Sequence, residues 1–192
     1  MGDNTSAASM SASTDTLSRD DFVDLFVEVV NICQPEHPTY GRDIYPVTRQ
    51  DIELSYCRAD SRTWARCGPR TGAYKIFYAF DKSYFQNVRF ERVLAITVHE
   101  LTHITIGTQN GRRAPMHPPA FWNEMAYHAQ VVLDHLDDIG ATWGQISPEV
   151  FRQQIITDPN SYMVDARSES LDDVHDRMQK WVGSYPANKL TK

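Results

Sequence analysis

Between Phe90 and Ile104 the chain reads "FERVLAITVHELTHI", in which Val93, Leu94, Ile96, Val98, Leu101 and Ile104 leave a helix almost no polar face. A helix that is apolar all round belongs inside a core, so the other elements have to be arranged around it. It nevertheless carries His99, Glu100 and His103. Two imidazoles and a carboxylate are costly to bury with nothing to bind them. Residues four apart lie one above the other on a helix, so His99 and His103 can converge on one ion. Glu100 is turned about 100° away and can sit beside that ion without ligating it, taking a proton from a metal-activated water. Zinc suits neutral imidazoles, and a catalytic zinc usually has three protein ligands and one position open for water. The expected cofactor is therefore Zn2+, with one protein ligand still to be found.

Two residues compete for that place. Gly107 can end the helix, and "TQNGRRAPMHPP" is a loop by composition. His117 stands at the end of this loop, 14 residues past His103, and the chain is long enough there to turn back over the metal. Glu124 stands 21 residues past His103 in "FWNEMAY", on a following helix, which is how gluzincin-type peptidases supply a glutamate.

The rest of the chain supplies what such a helix needs around it. Residues 1 to 17 are small and polar and read as a disordered leader. Ser18 opens a helix whose stripe is Phe22, Leu25, Phe26, Val29, Val30 and Cys33. "QPEHPTYGRDIYP" is a loop, and "DIELSYCRA", "RTWARCG" and "AYKIFYAF" read as short strands separated by turn signals. After the histidine helix another is expected from about Pro119 to Asp138, with proline near its start and Gly140 after its end. A short capped helix follows Ser147, and Leu171, Val174, Met178, Trp181 and Val182 form the stripe of a last one ended by Gly183. The fold class expected from this order is α+β, a small β-sheet packed against the active-site helix with further helices on either side. Residues 18–185 form one domain and 186–192 a flexible tail.

At 192 residues the chain can bury one substantial core and is short for two. No run is long and apolar enough for a membrane span, and the N-terminus lacks a secretory pattern, so a cytoplasmic protein with no membrane partner is expected. Cys33, Cys57 and Cys67 are an odd number at no metal-binding spacing and read as buried free thiols. The formal charge of -6 conceals a segment from Arg58 to Arg113 with ten basic and four acidic residues. That segment can steer an anionic partner such as nucleic acid, or it can be a set of scattered, solvated arginines.

"HELTHITIGTQNGRRAPMHPPAFW" resembles the SprT-like (Spartan-type) metalloproteases, in which an H-E-L-x-H helix is followed by a loop of "GR-x-AP" flavour, a third histidine and an aromatic residue. The resemblance covers roughly residues 50 to 138, and its specific part runs from His99 to Trp122. It implies a zincin-like fold with His99, His103 and His117 as zinc ligands, Glu100 as catalytic base, and Phe121 and Trp122 packed behind the third ligand. It therefore favours His117 over Glu124. Glu124 is left a supporting role or that of a solvated helix residue; Tyr127, His128 and His135 follow on the same helix, Tyr127 and His128 as candidates for oxyanion stabilisation or for a simple surface or core position. The implied activity is a zinc endopeptidase acting on protein or peptide substrates, in its narrower form on DNA-associated proteins. An extended substrate is expected to pair with an edge strand near Ala73 to Phe80. The alternatives are a gluzincin-type peptidase using Glu124, or a non-catalytic, zinc-stabilised protein-binding module.

Overall fold

The computed structural model describes residues 19–33, 48–56, 65–70, 73–78, 89–106, 117–161 and 170–181. The expected leader, the Ser18 cap, the tail 186–192, Gly107 and the loop from Thr108 to Met116 lie outside them. Six helices carry the described core: α1 (Arg19–Cys33), α2 (Phe90–Ile106), α3 (Pro119–Asp134), α4 (Leu136–Trp143), α5 (Pro148–Ser161) and α6 (Leu171–Trp181).

The backbone also forms three short extended segments, β1 (Ile52–Tyr56), β2 (Ala65–Arg70) and β3 (Ala73–Tyr78), paired in the order β1-β3-β2. β3 runs parallel to β1 and antiparallel to β2. It is thus the middle segment and not the edge that the substrate-pairing expectation requires.

The expected α+β class is not upheld. Residues with described side chains are 88% helical and none lies in a strand. Every buried residue among them comes from a helix, or from a turn beside one. The physical reason is that the helices meet one another's needs. The apolar stripes of α1, α3 and α5 lie against α2 and α6 lies against α3 and α5, so the described core is packed helix on helix, with β2 also reaching α2.

The stripe of α1 is buried as its spacing requires: Phe22, Leu25, Phe26, Val29, Val30 and Cys33 are at most 4% exposed. Asp20 and Asp21 sit in its first turn, where carboxylates favour the helix dipole. Helix α2 lies against α1, α3 and α5, and α6 closes over α3 and α5. Phe90, Val93, Leu94, Ala95, Ile96, Val98 and Leu101 are all buried. So are three threonines of α2, and each returns its hydroxyl proton to the carbonyl four residues back: Thr97 to Val93 at 3.0 Å, Thr102 to Val98 at 2.8 Å and Thr105 to Leu101 at 3.0 Å. Local back-bonding of this kind lets a polar residue stay inside an apolar core.

The expected single helix from Pro119 to Asp138 is two helices. Pro119 starts α3 as expected, but α3 ends at Asp134 and α4 begins at Leu136. At the break the His135 N–H goes to Val132 O at 3.1 Å, and its ring nitrogen Nδ1 approaches Val131 O at 2.8 Å. A side chain takes the carbonyl that the backbone N–H would have used, and the helix turns. Gly140 does not end α4, which runs through it to Trp143; Gly144, at φ 95° and ψ 176°, ends it instead. Trp143 stacks on Phe90 at 6.0 Å and donates its indole hydrogen to Glu28, which ties α4 to α1 and α2.

Ser147 caps α5 by accepting from Val150 N at 3.3 Å, and its own N–H donates to Glu91 Oε1 at 3.0 Å. This joins the start of α5 to the start of α2. The helix runs to Ser161, longer than the short one expected. Ser170 accepts from Asp173 N at 3.1 Å at the head of α6, where Val174 and Met178 are buried. Among the described residues no helix is long and apolar enough to cross a membrane.

The two glycines of this region give opposite predictions for one substitution. A Cβ at Gly140 would meet nothing within 4 Å, so Gly140→Ala should stabilise the protein by about 0.4–1 kcal/mol. Gly144 holds a conformation that side chains avoid, and Gly144→Ala should destabilise it by about 1–3 kcal/mol. Urea unfolding midpoints of the two variants should move to either side of the wild type.

A candidate metal centre of three histidines

Two elements meet at the centre. Helix α2 carries His99 and His103 on one face, and the chain brings in His117 just before Pro118 and the first turn of α3. Pro118 is extended at φ -68° and ψ 167°, and its carbonyl accepts from Phe121 N at 2.8 Å. The two prolines therefore fix the entry to α3 directly behind His117.

His117 Nε2 lies 3.2 Å from His99 Nε2 and 3.1 Å from His103 Nε2. The ligand atoms of all three histidines lie within 4.8 Å of one another. Their ring centroids are 4.9 to 5.0 Å apart and the rings are steeply inclined to each other. An imidazole Nε2 offers either one hydrogen or one lone pair, so a single in-line N–H···N bond satisfies one of these two contacts and leaves the other opposed. A cation among the three nitrogens resolves the conflict, because all three lone pairs can face it. The spacing fits as well. Metal–nitrogen bonds of about 2.0–2.1 Å put neighbouring nitrogens about 3.3 Å apart in a tetrahedron.

The imidazoles of His99 and His103 are held in the neutral form that a metal requires. Burial pushes His99 down to about 3, with the Arg92 guanidinium adding to it. Burial, and then the neighbouring His99 and His117, push His103 down to about 2. Desolvation disfavours the charged ring in both cases.

Phe121 and Trp122 form a wall on this cluster, and both are fully buried. The Phe121 ring lies 4.8 Å from His99, 4.6 Å from His103 and 4.7 Å from His117. Trp122 lies 5.4 Å from His117 and 6.4 Å from His99. Two aromatic rings shield the centre from water and lower the local dielectric, which strengthens any charge interaction there. Glu100 is on α2 beside His99 and is 2% exposed.

The remaining expected residues stand elsewhere. Glu124 is not in the three-histidine group; its Oε1 lies 3.3 Å from His128 Nε2 instead. His128 is itself fully buried and bonded to Thr102 through Nδ1, at 3.2 Å. His135 is taken up by the α3–α4 break. Cys33 is buried, and its thiol approaches the His128 carbonyl at 3.8 Å; Cys57 and Cys67 fall outside the residues with described side chains. The Thr102–His128 contact escaped the sequence reading, although His128 follows Phe121 and Met125 at seven and three residues and so shares the buried stripe of α3.

Comparison with protein-family models, with curated proteins and with solved structures gives no match for this chain.

The depressed imidazoles set a pH dependence for the metal-free protein. The unfolded chain protonates these rings near pH 6.5 while the folded chain keeps them neutral, so the unfolded state binds more protons below that pH. Stability should be full above about pH 6.5 and fall as the pH drops towards the folded values, by up to roughly 1.4 kcal/mol per pH unit for each ring. Urea titrations between pH 7 and pH 5 on protein stripped with a chelator measure that slope, and His103→Phe should make it shallower.

Proposed function

We propose that the chain is a zinc-dependent metallopeptidase in which His99, His103 and His117 hold the metal and Glu100 is the general base. The observation that carries this reading is the approach of His117 Nε2 to the other two Nε2 atoms at 3.2 and 3.1 Å, in a buried, aromatic-walled setting. Zinc bound there would supply Lewis acidity and a water acidic enough to lose its proton near neutral pH.

The chain's own residues do the rest. Imidazole ligands would add no negative charge, so a bound metal would keep its full electrophilic pull. Glu100, one residue along α2 from His99, lies off the ligand face by helix geometry and would receive a proton from water and return it to the leaving amine nitrogen. Burial keeps bulk water from competing for that proton. Three protein ligands would leave room for a substrate carbonyl, whereas a purely structural zinc is closed by four. The separation of Glu124 into a pair with His128 supports the three-histidine set over a gluzincin-type one.

The narrower reading, cleavage of DNA-associated proteins, is supported by the resemblance to SprT-like proteases and by the basic segment from Arg58 to Arg113.

Glu100→Gln should lower peptide hydrolysis by roughly 10²–10⁴-fold while the protein still purifies with one zinc per chain. His117→Ala should lose both the metal and the activity. Zinc content by elemental analysis beside a peptide-cleavage assay makes the distinction, and hydrolysis surviving Glu100→Gln would remove Glu100 from its role. For the narrower reading, binding to single- or double-stranded DNA should weaken steeply as salt rises, and DNA should stimulate cleavage of a bound protein. No salt-sensitive binding and no stimulation would leave a general peptidase.

A further inference from the structure

His128 is fully buried yet has no part in the three-histidine cluster. Its surroundings define its proton. Thr102 donates its hydroxyl hydrogen to Val98 O at 2.8 Å, so towards His128 Nδ1, at 3.2 Å, the Thr102 oxygen acts as acceptor and Nδ1 carries the hydrogen. On the other side of the ring, Nε2 stands 3.3 Å from Glu124 Oε1, one turn back on α3. The ring is thus bonded to Thr102 through Nδ1 and has the Glu124 carboxylate close to Nε2.

This bond has a particular place in the fold. Thr102 immediately precedes His103 on α2, and α3, which carries His128, follows directly from His117 and Pro118. The Thr102–His128 contact therefore joins the two elements that supply the three imidazoles. Nothing about stability demands a polar pair here, because replacing both partners of a buried hydrogen bond by apolar groups of similar shape can be nearly neutral. What an apolar pair lacks is direction. A hydrogen bond fixes the rotation and slide of α3 on α2, and an error of a few tenths of an ångström there is carried to His117.

We propose that His128 is a positioning residue for the metal centre: braced by Glu124 and bonded to Thr102, it sets α3 on α2 so that His117 closes on His99 and His103. The inference rests on the metal reading above and goes beyond it by assigning a role to three residues outside the ligand set.

The test uses the full chain and zinc alone as the probe. Zinc affinity is measured by competition with a chromophoric chelator, beside the unfolding midpoint of the metal-free protein. The double variant Thr102→Val, His128→Leu should bind zinc about 10-fold more weakly, in the range seen when groups supporting metal ligands are removed. Its metal-free unfolding midpoint should stay close to wild type. Thr102→Ser, which keeps the hydroxyl, should bind zinc within about two-fold of wild type. Unchanged affinity in the double variant, or a loss shared equally by Thr102→Ser, overturns the proposal while leaving the metal reading intact. If the double variant does not fold, Thr102→Val alone decides by the same comparison. A wild type that takes up no zinc overturns the metal reading and this inference with it.

Discussion

The structure depends on one constraint: α2 is buried on every side and still carries polar groups that need partners. Several of these groups find partners within α2 or on the elements packed against it. The threonine hydroxyls bond back within the helix, Glu91 accepts the Ser147 N–H at the head of α5, and Thr102 meets His128 of α3. His99 and His103 meet His117 ahead of α3. Apolar burial alone would hold these helices together with little preference for one rotation over another. The polar contacts on α2 select the arrangement, because an unmet buried donor or acceptor costs about 1–3 kcal/mol.

That division explains how much was legible in the sequence. The i, i+3, i+4 stripe of α1 and the apolar run of α2 state their own burial, and the four-residue step from His99 to His103 states a shared face. The return of His117 was legible only from loop length and from the resemblance, since spacing alone left Glu124 equally open. What the sequence hid were contacts made by side chains to distant backbone or to other helices. His135 breaks the expected Pro119–Asp138 helix through a ring bond to Val131 O, and no periodicity rule registers such a bond. Gly140 looked like a terminator because glycine ends many helices; the conformation that needs glycine occurs four residues later.

The fold class failed for a related reason. Short runs rich in β-branched and aromatic residues, such as "DIELSYCRA" and "AYKIFYAF", carry a local preference for extended backbone, and the resemblance added a sheet beside the histidine helix. Local preference does not say which element covers the core. Among the residues whose burial is described, the core is built from helices, whose apolar stripes are equally visible in the sequence.

Helix α3 carries two different loads on one face. Its first turn places Phe121 and Trp122 as the wall behind the imidazoles, and seven residues further on, nearly two turns, His128 meets Thr102. Residues seven apart lie on almost the same side of a helix, so the wall and the hydrogen bond share the surface that α3 turns towards α2. This also accounts for Glu124. Placed between Phe121 and His128 in sequence and one turn before His128, its carboxylate can brace that imidazole without entering the ligand cluster. A carboxylate that moved to the metal would leave the buried Nε2 of His128 facing one partner fewer. The support of His128 and the ligation of a metal are thus competing uses of one side chain, and the packing of α3 on α2 favours the first.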